Sequence, residues 1–206
     1  MRLLLALFLL GPLFAQATPR VDIAITVVPG QNAISLREAR AAMREARQIF
    51  ASELGVNLVL VSSRIRRAPK SNALMSLQST DELLYYWSKR FWKKHIGGVL
   101  NLAILPPLND RGTFYYAGRA GGFCALYDGF AWANIPRLRT NGTDGRVYAK
   151  YVIAHELGHL LGAEHVDSPT IMNPGVIEWA DRLHDLNFDP DTVRQIGECL
   201  CDWGRK

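Results

Sequence analysis

The pattern of hydrophobic and polar positions changes period several times along the first hundred residues. Apolar and β-branched runs that end at glycine or proline predict strands, whereas apolar residues spaced by three or four predict amphipathic helices. Two capping boxes, Ser35 with Glu38 and Ser79 with Glu82, open the helices, and Gly55 ends the first one. The predicted elements are a strand over 21–28, a helix over 36–54, a strand over 56–62, a polar basic loop over 63–72, a helix from 80 to about 95 and a buried strand over 99–105.

The order strand, helix, strand, helix, strand predicts an α/β fold whose sheet has parallel neighbours joined by right-handed crossovers. The next segment differs, because glycines break it into short apolar pieces that are typical of edge strands and bulges. A third helical pattern starts at Arg146 and runs to Gly162, and a last helix is expected from Asp191. The short apolar pieces lie at 114–117, 123–126 and 130–133.

The first seventeen residues have the pattern of a secretory signal peptide. Arg2 is followed by an apolar run over 3–15 and by the small-residue ending Ala15-Gln16-Ala17. The run is too short to span a membrane, so we expect a secreted protein, extracellular or periplasmic, without a stable membrane anchor. Residues 18–206 then suffice for one domain with a substantial core and are too few for two.

Composition and charge exclude several classes of protein. The chain of 206 residues is 49% hydrophobic and 21% charged, which is typical of a soluble globular protein rather than a disordered or fibrous one. The formal net charge of +5 is scattered, so nucleic acid is not an expected partner, and we expect a monomer. The local concentration of positive charge is typical of a solvated loop and consists of Arg64, Arg66, Arg67 and Lys70.

The residues that carry chemistry lie in and just after the third predicted helix. His155 and His159 are four residues apart, so one helical turn brings both imidazoles side by side as ligands of one metal ion. Gly162 lets the helix end, so that the chain can swing back and His165 can supply a third nitrogen. Three protein ligands leave a tetrahedral Zn²⁺ one open position, which is typical of a catalytic site. Glu156 is not needed for coordination, and we expect it to act as general base for a zinc-bound water.

A longer stretch around these histidines resembles a known family. The segment from His155 to His165, His-Glu-Leu-Gly-His-Leu-Leu-Gly-Ala-Glu-His, followed by Met172 in Thr-Ile-Met-Asn-Pro, resembles the zinc helix and Met-turn of the metzincin metallopeptidases. Pro174 stands where astacins and serralysins have a tyrosine, so the chain is most similar to the matrixin and adamalysin-like groups. The resemblance implies that Met172 forms an apolar floor beneath the histidines. It also implies a three-layer catalytic domain with a twisted mixed sheet, an antiparallel edge strand and a C-terminal helix.

The three cysteines allow at most one internal disulfide. In adamalysin-like domains a cysteine after the substrate-binding edge strand is bridged to a Cys-Leu pair in the C-terminal helix, and Cys124 and Cys199 match these positions. In a C-terminal helix Cys199 also falls three residues after Ile196, on the apolar side, and Cys201 points away from it. We therefore predict a Cys124–Cys199 disulfide, with Cys201 free or paired outside the chain. Two positions depart from the adamalysin-like pattern, Val166 and Thr170.

The zinc chemistry and the resemblance together imply a secreted zinc endopeptidase. In this mechanism zinc polarises the scissile carbonyl, while Glu156 takes a proton from the zinc-bound water and delivers it to the leaving amine. An extended peptide is expected to add as a strand along the edge at 113–118, with the primed-side pocket between the zinc helix and residues 175–179. The predicted substrate-binding residues are Tyr116, Ala117, Gly118, Val176 and Ile177.

Two other functions stay open on the sequence alone. A secreted binding module could keep zinc for stability without catalysis, although the presence of Glu156 disfavours it. An amidase or aminopeptidase could use the same zinc chemistry, and the expected edge strand for extended peptides disfavours that reading. Calcium is an unsupported second ion, because loop carboxylates more commonly cap helices or are solvated. The carboxylates concerned are Asp128, Asp144, Asp189 and Asp191.

Overall fold

A computed structural model describes residues 18–30, 32–67, 99–106, 118–121, 124, 129–137, 144–183 and 185–203. Several predictions fall outside these residues: the signal peptide over 1–17, the helix after Ser79, and the strand pieces over 114–117 and 123–126, of which only Cys124 is described. The described elements are β1 (Arg20–Val27), α1 (Leu36–Leu54), β2 (Asn57–Ile65), β3 (Leu100–Leu105), β4 (Gly118–Gly121), β5 (Phe130–Asn134), a 3-10 turn (Gly145–Val147), α2 (Ala149–Leu160), α3 (Val176–Leu183) and α4 (Pro190–Trp203).

The strands form one sheet with the order β2-β1-β3-β5-β4. Strands β2, β1, β3 and β5 are parallel to one another. Strand β4 pairs antiparallel with β5. The predicted α/β class is thereby confirmed. The apolar piece over 130–133 has the pattern of an edge strand, and this prediction is wrong. The strand that it forms, β5, lies between β3 and β4. All five of its residues are buried, which fits an interior strand.

Strand β2 runs further than its hydrophobic pattern predicts. A register shift where β1 passes from Ile23 to Ala24 is followed by pairing of Ser62, Ser63 and Arg64 with β1. The guanidinium of Arg64 donates to the Thr26 hydroxyl at 3.1 Å. Ser63 and Arg64 were expected in a loop, and the ladder to β1 keeps them in the strand because backbone pairing does not require apolar side chains.

Helix α1 has the bounds that its capping signals predict. The Ser35 hydroxyl accepts from the Glu38 N–H at 3.2 Å, and the Glu38 carboxylate accepts from the Ser35 N–H at 2.7 Å. Gly55 follows the helix in the left-handed region with φ of 62°, where glycine avoids the steric cost of a Cβ. The helix buries an apolar stripe against the sheet, consisting of Ala39, Ala42, Met43, Ala46 and Phe50.

The hydrophobic core lies between one face of the sheet and helices α1 and α2. Alternate residues of β1, β3 and β5 point into it, as the period of two requires. Strand β5 contributes only Ala131 and Ala133, whose small side chains lie where α2 packs against this strand. The core residues of the other interior strands are Val21, Ile23, Ile25 and Val27 from β1, and Leu100, Leu102 and Ile104 from β3. None of the helices among the described residues has both the length and the apolar character to cross a membrane.

Candidate metal centre

Helix α2 carries two of the predicted ligands through the interior of the protein. The 3-10 turn before it is capped by Asp144, whose carboxylate accepts from the Arg146 N–H at 2.9 Å. His155 is 5% exposed, and His159 is only half-buried because it lies one turn nearer the end of the helix. The helix therefore brings both imidazoles to one place, partly shielded from water.

The end of α2 redirects the chain and also orients His159. Gly162 has φ of 93°, and two backbone bonds close the turn: the Gly162 N–H donates to His159 O and the Ala163 N–H donates to Gly158 O, both at 3.0 Å. This is a Schellman motif, which a glycine at this position favours. The carbonyl of Ala163 then accepts from His159 Nδ1 at 2.8 Å. The turn that ends the helix thus fixes one of the imidazoles.

The three predicted ligands meet at a single point. The Nε2 atoms of His155 and His159 lie 3.1 Å apart, those of His159 and His165 lie 3.0 Å apart, and those of His155 and His165 lie 3.2 Å apart. Among the described residues this is the group of His, Cys, Asp and Glu side chains placed to share a metal ion. Tetrahedral coordination at the usual Zn–N distances separates two ligand nitrogens by roughly 3.3 Å, close to these spacings.

The tautomers of these histidines explain why the group fits a cation. His155 Nδ1 faces the Ile171 carbonyl at 2.7 Å, and His159 Nδ1 faces the Ala163 carbonyl. A carbonyl oxygen only accepts hydrogen bonds, so both Nδ1 atoms carry the proton and, in the neutral ring, both Nε2 atoms present lone pairs. Lone pairs that converge within about 3 Å repel one another unless a cation lies between them. The donor set therefore fits Zn²⁺, with carbonyls orienting two of the rings.

Burial keeps the ligands in the neutral form that metal binding needs. Burial and the neighbouring His159 lower the pKa of His155 to about 3. Burial is also the main cause that lowers the pKa values of His159 and His165 below the ordinary value of 6.5.

Glu156 is the most deeply buried carboxylate near the histidines. It is 1% exposed, and its Oε2 has no hydrogen-bond partner in the described part of the protein. Burial raises the pKa of Glu156 well above its ordinary value. An unpartnered carboxylate oxygen in such a place is energetically costly, and perturbed acids of this kind are concentrated at functional sites.

Met172 packs directly against α2. It is fully buried, and a Cβ added at Gly158 would lie 2.6 Å from its Sδ atom. The absence of a side chain at Gly158 is therefore what lets the methionine approach the helix between the two ligand positions. The backbone carbonyl of Ile171, the residue before Met172, is the one that accepts from His155.

A disulfide packs against the turn that follows α2. It joins Cys124 to Cys199 of α4, the pairing expected from the sequence, while Cys201 is free and exposed. A Cβ added at Gly162 would lie 3.4 Å from the Cβ of Cys199 and 3.8 Å from that of Cys124. The bridge therefore packs on the turn between the second and third histidines.

The predicted substrate-binding residues fall into three groups. Tyr116 and Ala117 lie outside the described residues, and Gly118 begins β4. Val176 is 1% exposed and packs in the core at the start of α3, a helix that the sequence analysis did not predict. Ile177 lines a small apolar cavity together with Val152, which lies one turn before His155.

Two of the carboxylates considered for calcium, Asp189 and Asp144, cap helical turns, and a third, Asp191, lies in the first turn of α4 with its Oδ1 3.6 Å from the Arg194 guanidinium. Asp189 accepts from the Asp191 N–H at 3.0 Å and from the Thr192 N–H at 3.1 Å, at the start of α4. Asp144 caps the 3-10 turn, and Asp128 lies outside the described residues.

Several features of the site have no individual signal in the sequence. The carbonyls of Ile171 and Ala163 belong to the backbone, and any residue could supply them. Gly158 is a signal in the sequence, because a glycine inside a helix costs about 1 kcal/mol relative to alanine. Its presence in a helical pattern therefore indicates a packing or functional reason.

Comparisons with solved structures place this fold among known metallopeptidases. An archaemetzincin from Methanopyrus kandleri has a TM-score of 0.60 at 16% identity, with 92% of this chain and 99% of that one covered. An archaemetzincin from Archaeoglobus fulgidus has a TM-score of 0.54 at 14% identity, with 85% and 99% covered. Metalloproteinase-II from Bacteroides fragilis has a TM-score of 0.54 at 17% identity and 91% of this chain covered, which spans only 55% of that protein.

At these identities the comparisons show a shared fold. No protein-family model matches the chain, and no curated protein matches it in sequence. The similar structures include archaemetzincins, so the likeness is to their fold and does not point to the matrixin or adamalysin-like groups.

Proposed function

We propose that this protein is a zinc-dependent endopeptidase. The observation that carries the proposal is the meeting of three histidine Nε2 atoms within 3.2 Å of one another, two of them with their Nδ1 protons directed to carbonyls. Three ligands leave a fourth position for water or substrate. The fold shared with metallopeptidases and the buried Glu156 beside the first ligand support the same conclusion.

His155, His159 and His165 would hold the Zn²⁺, which when bound would supply Lewis-acid chemistry for a scissile carbonyl and a water. Glu156 would accept a proton from the attacking water through its unpartnered carboxylate oxygen, Oε2. Once protonated, Glu156 can pass that proton on to the leaving amine, and the burial that raises the pKa of Glu156 favours this protonated form. The roles of base and acid thus belong to one residue.

We propose that the substrate is an extended polypeptide that pairs with the sheet edge. Strand β4 is short, lies at one end of the sheet and pairs with β5 on one side. An added strand would obtain its affinity from main-chain hydrogen bonds there.

We also propose that residues 1–17 direct export and that residues 18–206 act as a monomeric catalytic domain. The support is the signal-peptide pattern and the disulfide, since disulfides persist in oxidising compartments. Within the metzincins, the Cys124–Cys199 pairing and Pro174 favour the adamalysin-like group. Amino-terminal sequencing of the exported protein should begin at Thr18.

Cleavage-site profiling on a denatured proteome tests the activity. The exported protein should produce new internal peptide ends, a chelator should abolish them, and added Zn²⁺ should restore them. The His159→Ala variant should bind little zinc and cleave little. Full zinc occupancy in His159→Ala would contradict the ligand assignment. Zinc binding without cleavage would instead indicate a binding module, and removal of terminal residues alone would indicate an aminopeptidase.

A further inference from the structure

The side chain of Asn173 joins the loop that follows His165 to the turn that contains Met172. Its Nδ2 donates to three successive carbonyls, those of Val166 at 3.2 Å, Asp167 at 3.0 Å and Ser168 at 2.9 Å. On the other side its Oδ1 accepts from the Gly175 N–H at 2.8 Å. One amide therefore connects the two segments that lie on either side of the methionine.

These contacts use the full hydrogen-bonding capacity of the amide donor. An NH₂ group has two protons, so three carbonyls at these distances share them, and at least one proton is bifurcated. Asn173 is only 8% exposed, so water cannot easily take the place of these contacts. Loss of the donors would leave the Val166 and Asp167 carbonyls without this partner, whereas the Ser168 carbonyl also accepts from the Thr170 N–H at 2.8 Å.

The residue next to the third histidine is held at both of its backbone polar groups. The Val166 N–H donates to Met172 O at 3.2 Å, and the Val166 carbonyl accepts from Asn173. His165 itself lies outside α2, so no helix geometry fixes its position. Before His165 the chain is held by the Glu164 N–H, which donates to Gln195 Oε1 of α4 at 2.9 Å, and after His165 it is held by the turn to which Val166 is hydrogen-bonded.

His165 depends on this loop more than the other two histidines depend on theirs. The Nδ1 atoms of His155 and His159 are each held by a carbonyl, whereas the contacts of His165 with other described residues go through Nε2 alone. A metal-binding imidazole that lacks an orienting partner must take its direction from its backbone.

We propose that Asn173 is a positioning residue for the metal centre. It holds His165 in place for Zn²⁺ by pinning the loop 166–168 to the Met172 turn. The inference rests on the zinc site of the proposed function, and it does not require that the protein be a peptidase.

The variant Asn173→Asp tests the proposal with almost no change in volume. Its carboxylate can still accept from the Gly175 N–H, but it offers its second oxygen to three carbonyl oxygens and repels them. We expect the dissociation constant for Zn²⁺, measured by competition with a chelator, to rise by about ten- to a hundredfold. The matched control is Asn57→Asp, the same change at an exposed residue of β2, and it should leave zinc affinity unchanged.

A milder variant keeps the test decisive if Asn173→Asp does not fold. The hydroxyl of Asn173→Ser can donate to one carbonyl, so its zinc affinity should lie between wild type and Asn173→Asp. The visible spectrum of Co²⁺ bound in place of zinc should shift toward the spectrum of His165→Ala, because the same ligand is displaced. An unchanged Co²⁺ spectrum and zinc affinity, with only the metal-free protein less stable, would overturn the proposal.

A double-mutant cycle shows whether Asn173 acts through His165. Once His165→Ala has removed the third ligand, Asn173→Ser should weaken zinc binding no further. Additive losses in the double variant would show that Asn173 acts elsewhere. Measurements of zinc affinity and of the Co²⁺ spectrum need no substrate. If the protein binds zinc through His165 as proposed but cleaves no peptide, the proposed peptidase activity is contradicted and this inference still holds.

Discussion

Glu156 is the residue on which the proposed chemistry depends most directly. The variant Glu156→Gln keeps the volume of the side chain but cannot accept a proton, so turnover should fall by roughly a hundredfold or more while zinc content stays the same. Peptide cleavage rates and metal analysis on the same preparation check this. The matched control, Glu164→Gln, makes the same change at an exposed residue next to a different ligand and should keep wild-type turnover. Wild-type cleavage by Glu156→Gln would identify another group as the base.

Gly158 shows how packing overrides helix propensity at a single residue. In an open helix, replacing glycine by alanine stabilises by about 1 kcal/mol. At Gly158 the new Cβ would lie 2.6 Å from the Sδ atom of the fully buried Met172, so Gly158→Ala should destabilise the protein by about 1–3 kcal/mol and weaken zinc binding.

Gly197 offers a matched control for this prediction within α4. A Cβ added at Gly197 meets no atom within 4 Å, so Gly197→Ala should be neutral or stabilising. Denaturant unfolding of both variants separates the two effects. Equal stabilisation by both substitutions would show that the contact with Met172 does not constrain the helix.

The ligands of the candidate site were predictable at the residue scale, and their supports were not. Two histidines four residues apart on a helix must share a face, so His155 and His159 followed from spacing alone. The orienting partners are the carbonyls of Ile171 and Ala163, which become available only when the chain has turned at Gly162. These contacts depend on tertiary structure, and the identities of Ile171 and Ala163 do not predict them, because the groups involved are backbone carbonyls.

The capping box of α1 makes a prediction about pH. Burial acts to raise the pKa of Glu38, but the Ser35 N–H and hydroxyl and the positive charges of Arg137 and Arg146 outweigh it, and the pKa is lowered from 4.5. The folded state therefore binds the proton less well than the unfolded chain. Glu38 stabilises the fold above about pH 4.5, and this contribution disappears as the pH falls through the lower folded value.

The variant Glu38→Gln keeps the capping hydrogen bond but removes the negative charge near Arg137, Arg146 and the helix N-terminus, so it should lose about 0.3–1 kcal/mol of unfolding free energy near pH 7. The difference from wild type should shrink when unfolding is followed toward about pH 3. Glu45→Gln, on the exposed side of the same helix, should show a smaller difference, because its 3.8 Å ion pair with Lys150 is largely solvated. A difference at Glu38 that does not depend on pH would assign the effect to packing.

Elements with strong local signals were predicted better than elements defined by their neighbours. Helix α1 carries both a capping box and a glycine stop, and its bounds agree with the prediction. Strand β5 looked like an edge piece because it is short and close to glycines, yet pairing on both sides puts it inside the sheet. Helix α3, at Val176–Leu183, was not predicted, because residues 175–179 were expected only as one side of a specificity pocket.

At the scale of the whole molecule, the α/β class followed from the order of elements, whereas the strand order did not. Alternation of strands and helices predicts parallel neighbours, but it cannot say that β1 lies between β2 and β3 or that the chain then reaches β5. The fold similarity to solved metallopeptidases is therefore information that composition and periodicity could not supply.

The disulfide closes a covalent loop over a large part of the chain. Cys124 follows the edge strand β4 and Cys199 lies in the last helix, 75 residues further on. In the chain-entropy model a loop of that length stabilises the folded state by about 4 kcal/mol. The bridge also packs on Gly162, whose φ of 93° redirects the chain from the second histidine toward the third.

We therefore expect the double variant Cys124→Ser with Cys199→Ser to lose up to about 4 kcal/mol of unfolding free energy and also to bind zinc more weakly. Denaturant unfolding and chelator competition measure the two losses separately. Cys201→Ser should change neither, because that thiol is exposed and unbonded. Peptide mapping without reductant must first find the Cys124–Cys199 peptide. A Cys124–Cys201 peptide would contradict the pairing. A loss of stability with unchanged zinc affinity would show that the bridge stabilises the fold without supporting the turn at Gly162.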